Sequence, residues 1–161
     1  MLLLARLGVR GGEVCHLTLD DVDWKKSRIA IRGKGDRVEQ LPLPEDVGEA
    51  IAAYLKAGRP QGSASRRLFL RVRAPFLGFQ GQGSVGSVVK HALQRAQIDS
   101  PRKGSHQFRH TLASTMLRQG SSLSEIGELL RHRSPETTAI YAKVDLRSLR
   151  SLALPWPGGG R

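Results

Sequence analysis

The chain has few of the residues on which several protein classes depend. It holds one cysteine, Cys15, among 161 residues. An internal disulfide is therefore excluded, and a reducing, cytoplasmic setting is expected. No apolar run reaches the roughly 20 residues that a membrane helix needs, and the opening MLLLARL is too short for a signal peptide and lacks a cleavage pattern. Because a second thiol is missing and the histidines are scattered, a zinc site is not expected.

Aromatic and acidic residues are also scarce. Aromatic side chains make up 5% of the chain, so the core is predicted to be aliphatic. Lys and Arg number 26 against 14 Asp and Glu, which gives a formal net charge of +12. Nearly all of the excess lies in residues 61–161, where sixteen basic residues face five acidic ones. A surplus of this size indicates a polyanionic partner, most commonly nucleic acid.

The hydrophobic pattern predicts an α+β fold that is mainly α-helical, with a small antiparallel β-sheet near the N-terminal third. The length suffices for one domain with its own core. Arg28–Ile31 alternates polar and apolar residues, a glycine-rich turn follows at 33–36, and 37–41 reads as the return strand of a β-hairpin. Further helices are predicted after Pro44 and from an N-cap at Ser84.

Two basic side chains open the helix predicted after Ser105. Ser105 is a suitable N-cap and Gly120 a suitable C-terminal stop. His106 and Arg109 are three residues apart, so they share one face of the first turn. Unpaired backbone N–H groups and the helix dipole favour an anion there, and the pair therefore suits a phosphate. Alone, this short motif would more often mark an ordinary surface helix.

A third basic side chain and a tyrosine follow at regular intervals. Ser122 and Glu125 predict a capping box for the next helix, which should end near His132. Ser134 then suits the N-cap of a short helix that carries Tyr141. A tyrosine on a short helix is usually a half-buried packing residue. Here it stands nine residues after His132, downstream of two basic motifs.

Together these residues resemble the C-terminal signature of the tyrosine recombinases, the phage integrase family. In that family His-x-x-Arg precedes Leu-Gly-His, and a nucleophilic Tyr follows nine residues after that last His. The matching residues here are His106, Arg109, His132 and Tyr141. Where the family has Leu-Gly-His, this chain has Leu130-Arg131-His132, which lacks the glycine that favours a left-handed helix stop.

The resemblance extends upstream. Arg10 matches the family's first catalytic arginine, and Glu13 matches the acidic residue that orients the site. Gly11-Gly12 replaces helix-forming residues at a cost of about 1 kcal/mol each, and is expected to loosen the placement of Arg10. Lys34, within Gly-Lys-Gly, matches the catalytic lysine of the strand turn. Taken alone, Arg10 and Lys34 would be read as surface residues of turns.

The resemblance implies a site-specific DNA recombinase or integrase, an enzyme that cleaves and rejoins DNA strands through a 3′-phosphotyrosyl intermediate. It implies double-stranded DNA as partner, no membrane, no cofactor and no metal. It also implies assembly as a homo-oligomer, a tetramer on DNA, or with a full-length recombinase. The implied catalytic residues are Arg10, Lys34, His106, Arg109, His132 and Tyr141, with Glu13 in support.

Residues 1–154 are expected to form the family's catalytic domain, N-terminally truncated and without the core-binding domain that clamps DNA. A short helix from Asp145 and a flexible tail at 155–161 are expected after Tyr141. Two other functions remain open. One is a truncated, non-catalytic DNA-binding remnant or regulator of a full-length recombinase. The other is an enzyme that relaxes supercoiled DNA, similar to type IB topoisomerases. The remnant predicts DNA binding without covalent adducts, and the order and spacing of the motifs favour a recombinase over a topoisomerase.

Overall fold

The computed structural model describes residues 1–33, 35, 37–100, 104–132, 134 and 136–141. Over these ranges the chain is mainly helical with one small antiparallel sheet, so the predicted α+β fold class is confirmed. None of the helices in these ranges is long and apolar enough to cross a membrane. The helices are α1 (Leu2–Leu7), α2 (Gly11–His16), α3 (Glu45–Ala53), α4 (Gln82–Arg95), α5 (His106–Arg118) and α6 (Leu123–Leu129), and residues 136–141 are also helical.

The sheet is an antiparallel meander in the order β1-β2-β3. Its strands are β1 (Val22–Asp23), β2 (Arg28–Arg32) and β3 (Val38–Pro42). Ile29 and Ile31 of the central strand are fully buried, because alternate residues share one face of a strand and this face lies on the core. Ala30 between them is also buried, so the strand does not show the simple alternation of buried and exposed residues that its sequence predicts. The predicted hairpin is confirmed, and the N–H of Gly33 donates to the carbonyl oxygen of Arg37 at 2.8 Å. Lys34 and Asp36 lie outside the described residues.

The chain divides into two compact units, one over Met1–Arg109 and one that begins at His110. The core of the first unit is aliphatic, as the low aromatic content predicts. Cys15 is buried in this core with its Sγ 3.1 Å from the carbonyl oxygen of Gly81, and burial raises the pKa of the thiol. The fully buried aliphatic side chains of the first unit are Val9, Leu17, Ile29, Ile31, Val47, Leu68 and Val89.

The second unit has its own small core, formed by Ala113, Ile126, Leu130 and Tyr141. Helix α5 ends at Arg118. Gly120 lies just beyond this end with φ 90°, in the left-handed region where glycine is favoured.

The capping box predicted at the start of α6 is confirmed. The N–H of Ser122 donates to Glu125 Oε2 at 2.7 Å, and the N–H of Glu125 donates to Ser122 Oγ at 3.2 Å. The hydrogen bond from the Ser122 N–H lowers the pKa of the Glu125 carboxyl, because it favours the charged form.

Helix α4 departs from the sequence prediction at its start. It begins at Gln82 rather than after Ser84, and the N–H of Ser84 donates to the carbonyl oxygen of Gly81 at 3.0 Å. Ser84 is therefore already inside the first turn, and its preference for the N-cap did not set the boundary. The helix and tail predicted after Tyr141 fall at 142–161, outside the described residues.

Candidate active site

Arg10 lies in the turn that joins α1 to α2. Gly8 caps the C-terminus of α1 with φ 57° and ψ 23°, a left-handed conformation that glycine adopts without strain. Glu13, in the first turn of α2, accepts from the Arg10 N–H at 2.7 Å and from Arg10 Nη1 at 3.1 Å. The Glu13 side chain is 7% exposed and the Arg10 side chain 42%. A buried carboxylate thus orients a guanidinium that remains accessible to an anion.

Arg109 is buried and anchored to the same turn. Its Nη1 donates to the carbonyl oxygen of Gly8 at 2.6 Å. That carbonyl stands at the end of α1, where the helix dipole places partial negative charge and favours a cation. Because Gly8 is two residues before Arg10, this hydrogen bond ties the turn that carries Arg10 to the first turn of α5.

A second contact joins these segments on the other side of Arg10. A Cβ added at Gly11 would lie 2.6 Å from Ser105 Oγ and 3.3 Å from Ser105 Cβ. Gly11 therefore lets α2 approach the residue that precedes His106, whereas a Cβ at Gly12 would meet nothing within 4 Å. The glycine pair, expected only to loosen Arg10, has a packing role at its first position.

Four of the residues singled out from the sequence thus belong to the first unit: Arg10, Glu13, His106 and Arg109. His106 is exposed at the first position of α5. The segments 8–11 and 105–109 lie in contact through the Arg109–Gly8 hydrogen bond and the close approach at Gly11.

His132 is the last residue of a Schellman motif, a pair of hydrogen bonds that closes the C-terminus of α6. The Arg131 N–H donates to the Glu128 carbonyl at 2.9 Å, and the His132 N–H donates to the Gly127 carbonyl at 2.9 Å. Arg131 has φ 55°. The left-handed stop therefore forms even though arginine replaces the family's glycine, and it determines where the backbone of His132 leaves the helix.

The His132 side chain lies between a threonine and the candidate nucleophile. Its Nδ1 is 2.7 Å from Thr138 Oγ1. The rings of His132 and Tyr141 are parallel within 2°, with centroids 6.2 Å apart. Tyr141 is 3% exposed and packs against Ile126 and Leu130. The second unit therefore brings the predicted residues His132 and Tyr141 together.

One neighbour of Tyr141 was not singled out from the sequence. The ring of His110 lies 5.5 Å from that of Tyr141, tilted by 59°. A histidine within a helix carries no spacing signal of its own, so only the packing of the second unit identifies it. Over the described part of the chain, no three His, Cys, Asp or Glu side chains cluster in a way that could hold a metal ion.

Comparison with known proteins places these residues in a family context. The model of the phage integrase family matches residues 1–147. A putative integrase/recombinase of Sinorhizobium fredii is 63% identical over 158 residues, which cover 98% of this chain and 38% of that protein. The tyrosine recombinase XerC of Thermodesulfovibrio yellowstonii is 37% identical, over 88% of this chain and 48% of that protein. The chain spans less than half the length of either relative.

Solved structures agree with the fold. The crystal structure of XerA recombinase matches 95% of this chain and 56% of its own, with a TM-score of 0.74 and 30% identity. XerH site-specific recombinase, bound to palindromic difH substrate in a post-cleavage complex, shares the fold with a TM-score of 0.76 at 23% identity, over 96% of this chain and 44% of its own. The resemblance seen in residues 106–141 is confirmed, and the chain belongs to the phage integrase family of tyrosine recombinases.

Proposed function

We propose that this chain is the catalytic part of a site-specific DNA recombinase or integrase, with Tyr141 as the nucleophile. The observation that carries the proposal is the pairing of Tyr141 with His132, whose rings lie parallel at 6.2 Å, in a member of this family. A phenol beside an imidazole suits transfer of a phosphoryl group to the phenolic oxygen, because the imidazole can donate to the phosphate as charge develops.

The proposed reaction exchanges one phosphodiester for another. Tyr141 Oη attacks the scissile phosphorus as the bond to the 5′ oxygen breaks, which leaves a 3′-phosphotyrosine and a 5′-hydroxyl. His106 takes the phenol proton, and Lys34 gives a proton to the departing 5′ oxygen. Attack by the 5′-hydroxyl of another strand reverses these steps and reseals the backbone. No oxidation or net hydrolysis occurs, so the bond energy is kept.

Arg10 and Arg109 are proposed to bind the non-bridging phosphate oxygens through their forked donors. Removing one preorganised donor of this kind typically costs about 2.7–4 kcal/mol of transition-state stabilisation. The buried Glu13 carboxylate and the Gly8 carbonyl hold the two guanidinium groups before substrate arrives. Such preorganisation reduces the reorganisation that the reaction would otherwise require.

The proposed partner is double-stranded DNA. Residues 61–161 carry eleven more basic than acidic residues, and a surplus of this kind suits the phosphate backbone. The chain spans 38% of one relative and 48% of another. That it takes part in recombination, as those longer proteins are named for doing, is therefore our proposal. We also propose a cytoplasmic location, residues 1–154 as the catalytic domain, and assembly on DNA as a homo-oligomer, a tetramer, or with a longer recombinase.

A suicide-substrate assay tests the proposed nucleophile. The substrates are duplexes drawn from the sequences that flank the gene's own locus. Each is labelled at the 5′ end of one strand and nicked a few nucleotides 3′ of the candidate scissile phosphate. Cleavage releases the short 5′-hydroxyl fragment and traps the covalent intermediate. We expect a labelled protein–DNA band on a denaturing gel, and its loss in Tyr141→Phe.

Tyr54→Phe is the matched control, because Tyr54 is the chain's other tyrosine. Its hydroxyl accepts from the Leu70 N–H at 3.1 Å and its ring packs on Phe69, so the variant should still form the adduct. DNA binding by the unmodified chain without any adduct would contradict the proposal and favour a non-catalytic DNA-binding protein.

A further inference from the structure

Thr138 contacts His132 from a buried position. Its Oγ1 lies 2.7 Å from His132 Nδ1, and the residue is 2% exposed. Neither the spacing of the family motifs nor the local pattern assigns a role to this threonine. A buried hydroxyl at hydrogen-bond distance from an imidazole restricts the orientation of the ring and the placement of its proton.

Gly127 provides the space that the threonine occupies. A Cβ added at Gly127 would lie 3.0 Å from Thr138 Oγ1 and 3.9 Å from Thr138 Cβ. The carbonyl oxygen of the same glycine accepts from the His132 N–H at 2.9 Å. Gly127, His132 and Thr138 therefore form a closed set of contacts, in which the backbone and the side chain of His132 are both held. The branched Cβ of threonine further limits how its hydroxyl can turn.

A hydroxyl suits this position because it both donates and accepts. When His132 is neutral, the hydroxyl can donate to Nδ1, which keeps the ring proton on Nε2. When the ring is protonated, the same oxygen accepts from Nδ1–H. With the hydroxyl donating to Nδ1 of the neutral ring, Nε2 carries a hydrogen in both charge states and is a donor on the edge of the ring away from Thr138. A donor is what a non-bridging phosphate oxygen requires.

We propose that Thr138 is a positioning residue, which holds the His132 ring in the form whose Nε2–H donates to the scissile phosphate. The inference deepens the proposed strand-cleavage function and rests on it for the identity of the acceptor. The orientation and tautomer of His132 can be measured without DNA, so the two proposals can fail separately.

The first measurement is the tautomer of His132 in the full chain, read from imidazole ¹⁵N chemical shifts and assigned with His132→Gln. We expect the Nε2–H form in the unmodified chain and in Thr138→Ser, which keeps the hydroxyl. Thr138→Val preserves the shape but removes the hydroxyl, and should shift the ring toward a mixture of tautomers. An unchanged tautomer and an unchanged titration of His132 in Thr138→Val would overturn the proposal.

The second measurement is the single-turnover rate of adduct formation on the nicked duplex. Thr138→Val should slow cleavage by roughly ten- to a hundred-fold, by analogy with the range seen when a hydrogen bond that orients a metal-bound histidine is removed. The dissociation constant for DNA should stay unchanged, and Thr138→Ser should restore most of the rate. In a His132→Ala background Thr138→Val should have no further effect, because the two residues act as one unit.

Full additivity of the two substitutions would overturn the positioning role. If the unmodified chain forms no Tyr141-dependent adduct, the strand-cleavage proposal fails, and the tautomer measurement still decides whether Thr138 orients His132. The thermal unfolding of Thr138→Val and Thr138→Ser identifies any loss of folding. Where the valine variant is unstable, Thr138→Ala removes the same hydroxyl and replaces it in both measurements, with Thr138→Ser as the control that keeps the hydroxyl.

Discussion

Arg109 Nη1 donates to the carbonyl oxygen of Gly8 at 2.6 Å. This hydrogen bond joins the segment that carries Arg109 to the turn that carries Arg10, the other arginine of the candidate site. Gly8 is separated from Arg10 by a single residue. We therefore expect a shift in the first turn of α5 to move the turn that carries Arg10. The close approach of Gly11 and Ser105 constrains the same pair of segments.

Arg109→Lys tests whether the positive charge of Arg109 is sufficient or whether the forked geometry of its guanidinium group is also needed. A lysine keeps one positive charge but presents no planar fork, so we expect adduct formation to fall by about 10²–10³. The Gly8 carbonyl also loses its partner, which should lower the free energy of unfolding by about 1–3 kcal/mol. Single-turnover cleavage and urea unfolding measure the two effects. Arg118→Lys, an exposed change on the same helix, should alter neither.

Glu13→Gln tests whether the buried carboxylate orients Arg10. Glutamine keeps one oxygen acceptor but loses the charge, so a charge-assisted contact with Arg10 Nη1 becomes a weaker one. We expect unfolding free energy to drop by about 1–2 kcal/mol and cleavage to slow while the protein remains folded. Glu49→Gln, an exposed substitution on α3, is the matched control. A wild-type cleavage rate in Glu13→Gln would contradict an orienting role.

The adjacent glycines of α2 should respond oppositely to alanine. Gly12→Ala meets no neighbour and should raise unfolding free energy by up to about 1 kcal/mol. Gly11→Ala puts a methyl group 2.6 Å from Ser105 Oγ, and should lower it by about 1–3 kcal/mol. Adding Ser105→Ala to Gly11→Ala removes the nearest clashing atom and should recover part of the loss. Equal effects of the two alanines in urea unfolding would refute the close approach.

Arg131→Gly should stabilise the chain. Arg131 adopts φ 55° at the end of α6, a conformation that costs a residue with a Cβ roughly 1–2 kcal/mol. We expect a higher urea midpoint with an unchanged denaturant slope. Arg131→Ala keeps the Cβ and therefore the strain, so it should give no comparable gain. A gain of the same size in both variants would instead point to the arginine side chain.

Glu125 should make the stability of α6 depend on pH. Hydrogen bonds from Ser122 hold the pKa of the Glu125 carboxyl below its ordinary value. A carboxyl with a depressed folded-state pKa contributes stability above its unfolded value, about 4.3. That contribution is lost as the pH falls through the lower folded value. Unfolding midpoints measured from pH 7 to pH 3 should fall less steeply in Glu125→Gln than in the unmodified chain.

The features that the sequence predicts correctly depend on residues close together in the chain. The Ser122–Glu125 capping box spans three residues, and the hairpin around Gly33 follows from strand patterning and a glycine-rich turn. The family match likewise rests on motif spacing. The catalytic roles of Arg10, His106, Arg109, His132 and Tyr141 stay predictions. So does that of Lys34, which lies outside the described residues.

Contacts between segments that are distant in the sequence could not be predicted from local patterns of residues. Arg109 and Gly8 stand 101 residues apart, and the need for glycine at position 11 depends on Ser105. A residue with a Cβ disfavours the left-handed conformation that Arg131 adopts. The two hydrogen bonds of the Schellman motif hold Arg131 in that conformation. Thr138 and His110 are identified only by the ring contacts and the hydrogen bond of the second unit.

The burial of Cys15 has a practical consequence for labelling. The thiolate is the reactive form of a cysteine, and burial both raises the pKa of this thiol and shields its sulfur from reagents. The chain holds no other cysteine. A cysteine introduced at an exposed position such as Arg118 would therefore take up a maleimide fluorophore selectively, and the native thiol could be left in place.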